Sequence, residues 1–230
     1  MIPWELLDTA KIPSGGGELR LKRRGAEFSI MLGANELMNS RLSGSEEALA
    51  TLTCQKLASH KKPILNPHIL IGGLGMGFTL RAALGVVGPK AAITVAELVP
   101  AVVAWARGPM QAVFGSCLMD SRVTVVEGDV GALMRSGSVR YDAILLDVDN
   151  GPEGLTHKSN DRLYDADGLN TAYAALNPGG VLAVWSSGPD PRFTLRLRKV
   201  GFIVDDIPVR ANGKRGGARH TVWIATRPQI

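Results

Sequence analysis

Polar and apolar positions alternate in the early part of the chain and gather into short apolar runs later. Leu19-Arg20-Leu21-Lys22 alternates. Glu27-Phe28-Ser29-Ile30-Met31-Leu32, the turn Gly33-Ala34-Asn35 and Glu36-Leu37-Met38 read as a hairpin with one buried face. Ahead of it, Trp4-Glu5-Leu6-Leu7 reads as a short docking helix. Residues 11–17, ending in Pro13-Ser14-Gly15-Gly16-Gly17, read as a flexible connector. Ser43-Gly44-Ser45-Glu46-Glu47 opens a helix, because Ser43 or Ser45 can cap it and the two acids suit the positive end of its dipole. Leu49, Leu52 and Leu57 then share roughly one face.

From Ile69 the pattern changes. Ile69-Leu70-Ile71 stops at Gly72-Gly73-Leu74-Gly75-Met76-Gly77, and Leu80, Ala83, Leu84 and Val87 follow at helical spacing: strand, tight loop, helix. Strand-like runs recur at Ala92 to Ala96, Arg122 to Val126 and Ala143 to Leu146, with helices expected from Pro100 to Met110 and Asp129 to Met134. Asn177-Pro178-Gly179-Gly180 breaks a helix and launches Val181 to Trp185, and Phe202-Ile203-Val204 can pair antiparallel with His220 to Ile224. Such alternation predicts an α/β fold: a doubly wound, mostly parallel seven-stranded sheet covered on both faces, preceded by a small N-terminal β-hairpin appendage. The expected division is 1–60 for the hairpin region and its connecting helix and 61–230 for the main domain.

Composition changes little in this picture. With 230 residues and 45% hydrophobic content, the chain suits one compact domain with a sizeable core. No window approaches 18 uninterrupted apolar residues, and Met1-Ile2-Pro3-Trp4-Glu5 lacks a basic region and an apolar core. Neither a membrane span nor a signal peptide is expected, and a cytoplasmic location is. Cys54 and Cys117 lie far apart without partners at metal spacing, so they read as core thiols and no metal is expected. The net charge of +5 is scattered except in Lys22-Arg23-Arg24, Arg192 to Lys199 and Arg210 to Arg219. No aromatic residues interleave with these clusters in the manner of a single-strand platform, which argues against a nucleic-acid partner.

The candidate chemistry sits at strand ends. Gly73, Gly75 and Gly77 allow the chain to turn and bring its backbone N–H groups close to a ligand. Glu97 closes a strand about 20 residues after the last glycine, where a dinucleotide-type fold holds a ribose diol. Asp129 follows the next strand and is placed to accept from an adenine amino group; a helix N-cap is the alternative reading. Asp147-Val148-Asp149-Asn150-Gly151-Pro152-Glu153-Gly154 follows the fourth strand and runs into Thr156, His157, Lys158, Ser159 and Asn160, a polar stretch suited to a lid.

Gly73 to Arg81, Val95-Ala96-Glu97, Glu127-Gly128-Asp129 and Tyr141 to Asn150 together resemble the spermidine synthase family of aminopropyltransferases, within the class I S-adenosylmethionine-dependent transferases. The resemblance runs from about Glu27 to about Phe202. It implies a Rossmann-like methyltransferase fold, a homodimer, and S-adenosylmethionine or its decarboxylated form as donor. The implied activity is aminopropyl transfer to a di- or polyamine, a step in polyamine biosynthesis. Asp147 matches the acid that deprotonates and orients the attacking amine, Asn150 matches the later acid of the gate, and Asp149 adds a carboxylate. Ser45-Glu46-Glu47 stands where the family has an aromatic Tyr, a polar residue and Glu, and the two carboxylates would attract a cationic amine or simply form a capping box. Met76 replaces the acid that holds the donor's amino end. The loop Ile207 to His220 has four cations and no Tyr, so it meets a carboxylate or phosphate on another acceptor or is a solvated turn. Two alternatives stay open: methyl transfer from S-adenosylmethionine to a small acceptor, and a nucleoside-binding protein without turnover.

Overall fold

The computed structural model describes residues 2–15, 17–148, 151–152 and 161–229. Its N-terminal part is a four-stranded antiparallel sheet in the order β1-β2-β3-β4, formed by β1 (Glu5–Lys11), β2 (Glu18–Arg24), β3 (Glu27–Leu32) and β4 (Asn35–Asn39). The expected hairpin is β3 and β4. The expected helix at Trp4 to Leu7 is instead the start of β1, because Glu5 to Lys11 pairs with Arg23 to Glu18 of β2. Tertiary pairing overrides a local pattern that shows no helical period.

Helix α1 (Gly44–Ala58) leads into β5 (His68–Gly72), α2 (Phe78–Leu84), β6 (Ala92–Glu97), α3 (Pro100–Arg107), α4 (Gln111–Phe114) and β7 (Val123–Glu127). Then come α5 (Val130–Arg135), β8 (Tyr141–Leu146), α6 (Asp161–Tyr164), α7 (Ala166–Ala175), β9 (Leu176–Ser186), α8 (Pro191–Val200), β10 (Ile203–Arg210) and β11 (Arg219–Thr226). The seven strands β5 to β11 form one sheet in the order β10-β11-β9-β8-β5-β6-β7. Pairs from β9 to β7 are parallel, and β11 runs antiparallel to both β9 and β10. Asn177-Pro178-Gly179-Gly180 lies within β9, where the register against β8 shifts, and does not precede the strand.

Strand alternation divides the core. Ile69, Ile71, Ala143, Leu145, Val181 and Ala183 face one layer, packed with α1, α2, α3 and the buried side of the small sheet through Leu19, Leu21, Phe28 and Ile30. Leu70, Ile144, Leu146, Leu182 and Val184 face the other, against Val130 and Met134 of α5, Leu169 and Ala172 of α7, and Phe193 and Leu197 of α8. Trp223 is buried there, its indole N–H donating to Thr194 Oγ1 at 2.9 Å. Asp190 caps α8 by accepting from the N–H groups of Arg192 and Phe193, so the Arg192 to Lys199 cluster is the polar face of an amphipathic helix. No helix among the described residues is long and apolar enough to cross a membrane.

Winding from β5 proceeds outward through β6 and β7, then returns to β8 and β9 on its other side. The reversal falls between β5 and β8, and ligands of such sheets bind beyond the carboxyl ends of the strands at that point. Gly72 and Leu146 are paired there, and the Asp147 N–H donates to Gly72 O at 3.0 Å.

Candidate functional site

Two cavities open at this reversal. The larger, about 120 Å³, is lined by Gly73, Gly75, Glu97, Asp129, Asp147 and the apolar Ile12, Leu19, Leu37, Met38, Val99 and Leu163, among others. The smaller, about 80 Å³, is lined by Glu46, Leu74, Met76, Gly77, Phe78 and Trp185. Leu37, Met38, Gly75 and Asp147 belong to both walls. A bulkier ligand therefore fits on the Glu97 side and a smaller one on the Glu46 side, with Asp147 between them.

The three loop glycines serve different ends. All have positive φ: 89° at Gly73, 51° at Gly75 and 75° at Gly77. A Cβ on Gly73 would lie 2.5 Å from the carbonyl oxygen of Asp147, and one on Gly77 would lie 2.5 Å from the Phe114 ring. Those two glycines admit other parts of the protein. A Cβ on Gly75 would meet only Met38 Sδ, at 3.4 Å, so this glycine is the one facing open space between the cavities.

Glu97 is buried at the end of β6 and holds the loop in shape. Its Oε2 accepts from the Leu74 N–H and its Oε1 from the Val99 N–H, both at 2.9 Å. Burial raises its pKa, while the N–H groups of Val99, Leu74, Gly75 and Leu98 pull it back. Glu97 also lines the larger cavity. Asp129 lines the same cavity and also caps α5: its Oδ1 accepts from the Gly131 N–H at 2.8 Å, and Oδ2 pairs with Arg135 at 3.3 Å. Its N-cap reading is thus seen directly, with the cavity at its side.

Asp147 is held differently. The Thr79 hydroxyl donates to its Oδ2 at 2.6 Å and lies 3.3 Å from the carbonyl oxygen of Glu46. Burial drives its pKa up to about 7, the negative charge of Glu46 adds to the rise, and the Thr79 bond opposes it. Glu46 is itself raised, chiefly by burial. Among the described residues no Lys or Arg pairs with Glu46 or Asp147. Two neighbouring carboxylates without a cation repel each other, and a positive ligand between them relieves both.

Three features escape local sequence patterns. Trp185 lines the smaller cavity, and its buried indole N–H has no partner among the described residues. Thr79 lies in the first turn of α2, and nothing local marks it as the partner of Asp147. His220, on β11, reaches Ser45 of α1. Glu47 is exposed and lines neither cavity, so the structure brings Glu46 to the site and leaves its neighbour outside. Gly77 lines the smaller cavity and not the larger. Asp149, Asn150 and the expected lid at Thr156 to Asn160 lie outside the described residues. Among the described residues no cluster of His, Cys, Asp and Glu could hold a metal ion.

No protein-family model and no curated protein matches the sequence. Solved structures do match. A spermidine synthase in complex with the transition state analogue AdoDATO superposes with a TM-score of 0.72 at 17% identity, covering 98% of this chain and 73% of that one. Spermidine synthase from Thermotoga maritima gives 0.71 at 17% identity, over 98% and 74%. TrmN from Thermus thermophilus gives 0.54 at 19% identity, over 79% and 48%. The sheet order, the glycine loop at the winding reversal and these superpositions together give the chain a Rossmann-like methyltransferase fold, in the form it shares with spermidine synthase structures.

Proposed function

We propose that the protein transfers an aminopropyl group from decarboxylated S-adenosylmethionine to a small di- or polyamine. The observation that carries this reading is the pair Glu46 and Asp147 in the smaller cavity, half-buried, mutually repelling and without a basic partner among the described residues. A cationic acceptor supplies the missing charge, and the faces of Phe78 and Trp185 suit an ammonium. The larger cavity suits the adenosyl part of the donor. Gly75 gives it close approach, the Glu97 carboxylate in the cavity wall suits ribose hydroxyls, and Asp129 stands at the base end.

The donor's sulfonium makes its neighbouring carbon electrophilic, and the thioether leaves uncharged without acid assistance. The protein has to provide an unprotonated amine aligned with the carbon–sulfur bond. Asp147, on the wall common to both cavities, accepts the ammonium proton and anchors the remaining N–H bonds. The nitrogen–carbon bond forms as the carbon–sulfur bond breaks. An ammonium and a sulfonium become a substituted ammonium, a neutral thioether and one proton.

Asp147→Asn tests the role: kcat should fall on the order of 100-fold or more, with donor affinity by calorimetry kept within about threefold. Unchanged turnover would remove Asp147 from the chemistry. Release of methylthioadenosine from the decarboxylated donor on adding putrescine tests the reaction, and absence of release with every diamine tried would sink it. Methyl transfer from S-adenosylmethionine is the second reading. It is favoured by Met76, which puts a buried thioether in the loop where the resembled family has an acid for the donor's amino end.

A further inference from the structure

We infer that Glu46, Ser45 and His220 form the route by which the acceptor's proton leaves the site. His220 acts as a positioning and relay residue at the outer end. The inference deepens the amine-transfer reading and rests on it.

Transfer releases one proton per turnover, so a buried base must be emptied before the next. Asp147 is partly exposed in the cavities, but among the described residues no chain of side-chain hydrogen bonds leads from it to the surface. Its Thr79 partner has a second contact only to a backbone carbonyl, which does not pass protons on. Glu46 shares the smaller cavity with Asp147, so in this route the proton crosses that cavity from Asp147 to Glu46, carried by water or by the amine, and Glu46 does have an outlet. Ser45 Oγ lies 2.7 Å from Glu46 Oε2 and 2.9 Å from His220 Nδ1. Ser45 is buried and His220 is partly exposed, so the chain runs from the cavity toward solvent. The Trp185 ring meets the imidazole edge-on, with centroids 4.9 Å apart.

Ser45 stands in the first turn of α1, two positions after the N-cap Ser43. Its hydroxyl bonds to a carboxylate and an imidazole. Both protonation states of Glu46 fit the same contacts. With Glu46 ionised, Ser45 O–H donates to Oε2 and accepts from Nδ1–H. With Glu46 protonated, the carboxyl donates to Ser45 Oγ and Ser45 O–H donates to Nδ1. Passage breaks the O–H bond on Glu46, exchanges the one on Ser45, forms N–H at Nδ1 and releases the proton on Nε2 to solvent; a turn of the imidazole ring then presents the bare nitrogen to Ser45 for the next turnover.

Charges around His220 leave this path clear. By strand alternation His220 shares the α1 side of the sheet with Val209 and Asp205 of β10, and Asp205 is paired with Lys56 at the far end of α1. Arg210 and Arg219 fall on the opposite side, Trp185 of β9 brings no charge, and Glu47 is exposed. Glu46 is the acid joined to the imidazole.

Steady-state kinetics of His220→Gln and Ser45→Ala should each show kcat reduced about tenfold, with KM for the amine within about twofold. The double variant should be no slower than either alone. Added imidazole should restore part of the rate to His220→Ala. Native kcat in both single variants, or losses that multiply in the double variant, would overturn the relay. Nitrogen NMR of the His220 ring reads the coupling without turnover: Ser45→Ala should alter its tautomer, and Glu46→Gln should lower its titration midpoint. If the wild-type protein transfers nothing to any amine, the functional reading fails. The ring nitrogens then decide alone: signals that move with Ser45 and Glu46 keep the relay, and signals indifferent to both remove it.

Discussion

Asp147 carries opposite demands of folding and chemistry. Its carboxyl is raised from an ordinary value of 3.8 to about 7 in the folded protein, so the unfolded chain ionises at lower pH than the native one. Its contribution to stability is complete below pH 4 and is lost as pH rises through about 7. Ionisation costs the native state on the order of a few kcal/mol by pH 8. Asp147→Asn should therefore raise the melting temperature at pH 8 while leaving it nearly unchanged at pH 4, and should flatten the profile between. A melting temperature that falls at pH 8 would contradict the burial argument. The residue was legible because it ends an apolar run. Glu97 and Asp129 were legible for the same reason, yet their bonds to the N–H groups of Leu74, Val99 and Gly131 depend on how the loops close. Ser45 and His220 lie 175 positions apart, and no local spacing brings them together.

At the scale of the element, the loop between β5 and α2 separates conformational need from ligand approach. Gly77→Ala would strain a positive φ and drive a methyl into Phe114. Its expected cost is about 2 kcal/mol or more, read as a lowered melting temperature. Gly75→Ala meets only the flexible end of Met38 and should cost about 1 kcal/mol. It should weaken an adenosyl ligand by about tenfold or more in calorimetry, because its methyl projects where the ligand approaches. Equal stability losses with unchanged affinity would show that neither glycine faces the ligand. The glycine-strand-helix pattern was plain in sequence, but the roles of the three glycines were not, since Phe114 and Asp147 reach them from elsewhere in the chain. The misread start of β1 has the same origin: adjacent Leu6 and Leu7 show no period, and its partner strand decides the state.

For the whole molecule, the four-stranded sheet roofs the site. Ile12 follows β1, Leu19 comes from β2, and Leu37 and Met38 come from β4; all line the larger cavity. One tie to the main sheet is the Trp105 indole N–H of α3, which donates to Asp8 Oδ2 of β1 at 2.7 Å. Trp105→Phe should keep the core filled and release β1, giving faster hydrogen exchange over residues 5–11 and a severalfold faster dissociation of an adenosyl ligand, about the loss of one charge-assisted bond. Unchanged exchange there would show that the roof is held by packing alone. The two-layered architecture was readable from alternating apolar runs, whereas a roof over the site follows from contacts no periodicity reports. The acids beneath it, which pair with no Lys or Arg among the described residues, also make the protein a proton exchanger. At pH 7 Asp147 is about half protonated. A cation entering beside it expels that fraction to the buffer. Heats of diamine binding in Tris and in phosphate should then differ in proportion to the buffers' ionisation enthalpies, and the slope counts the protons displaced.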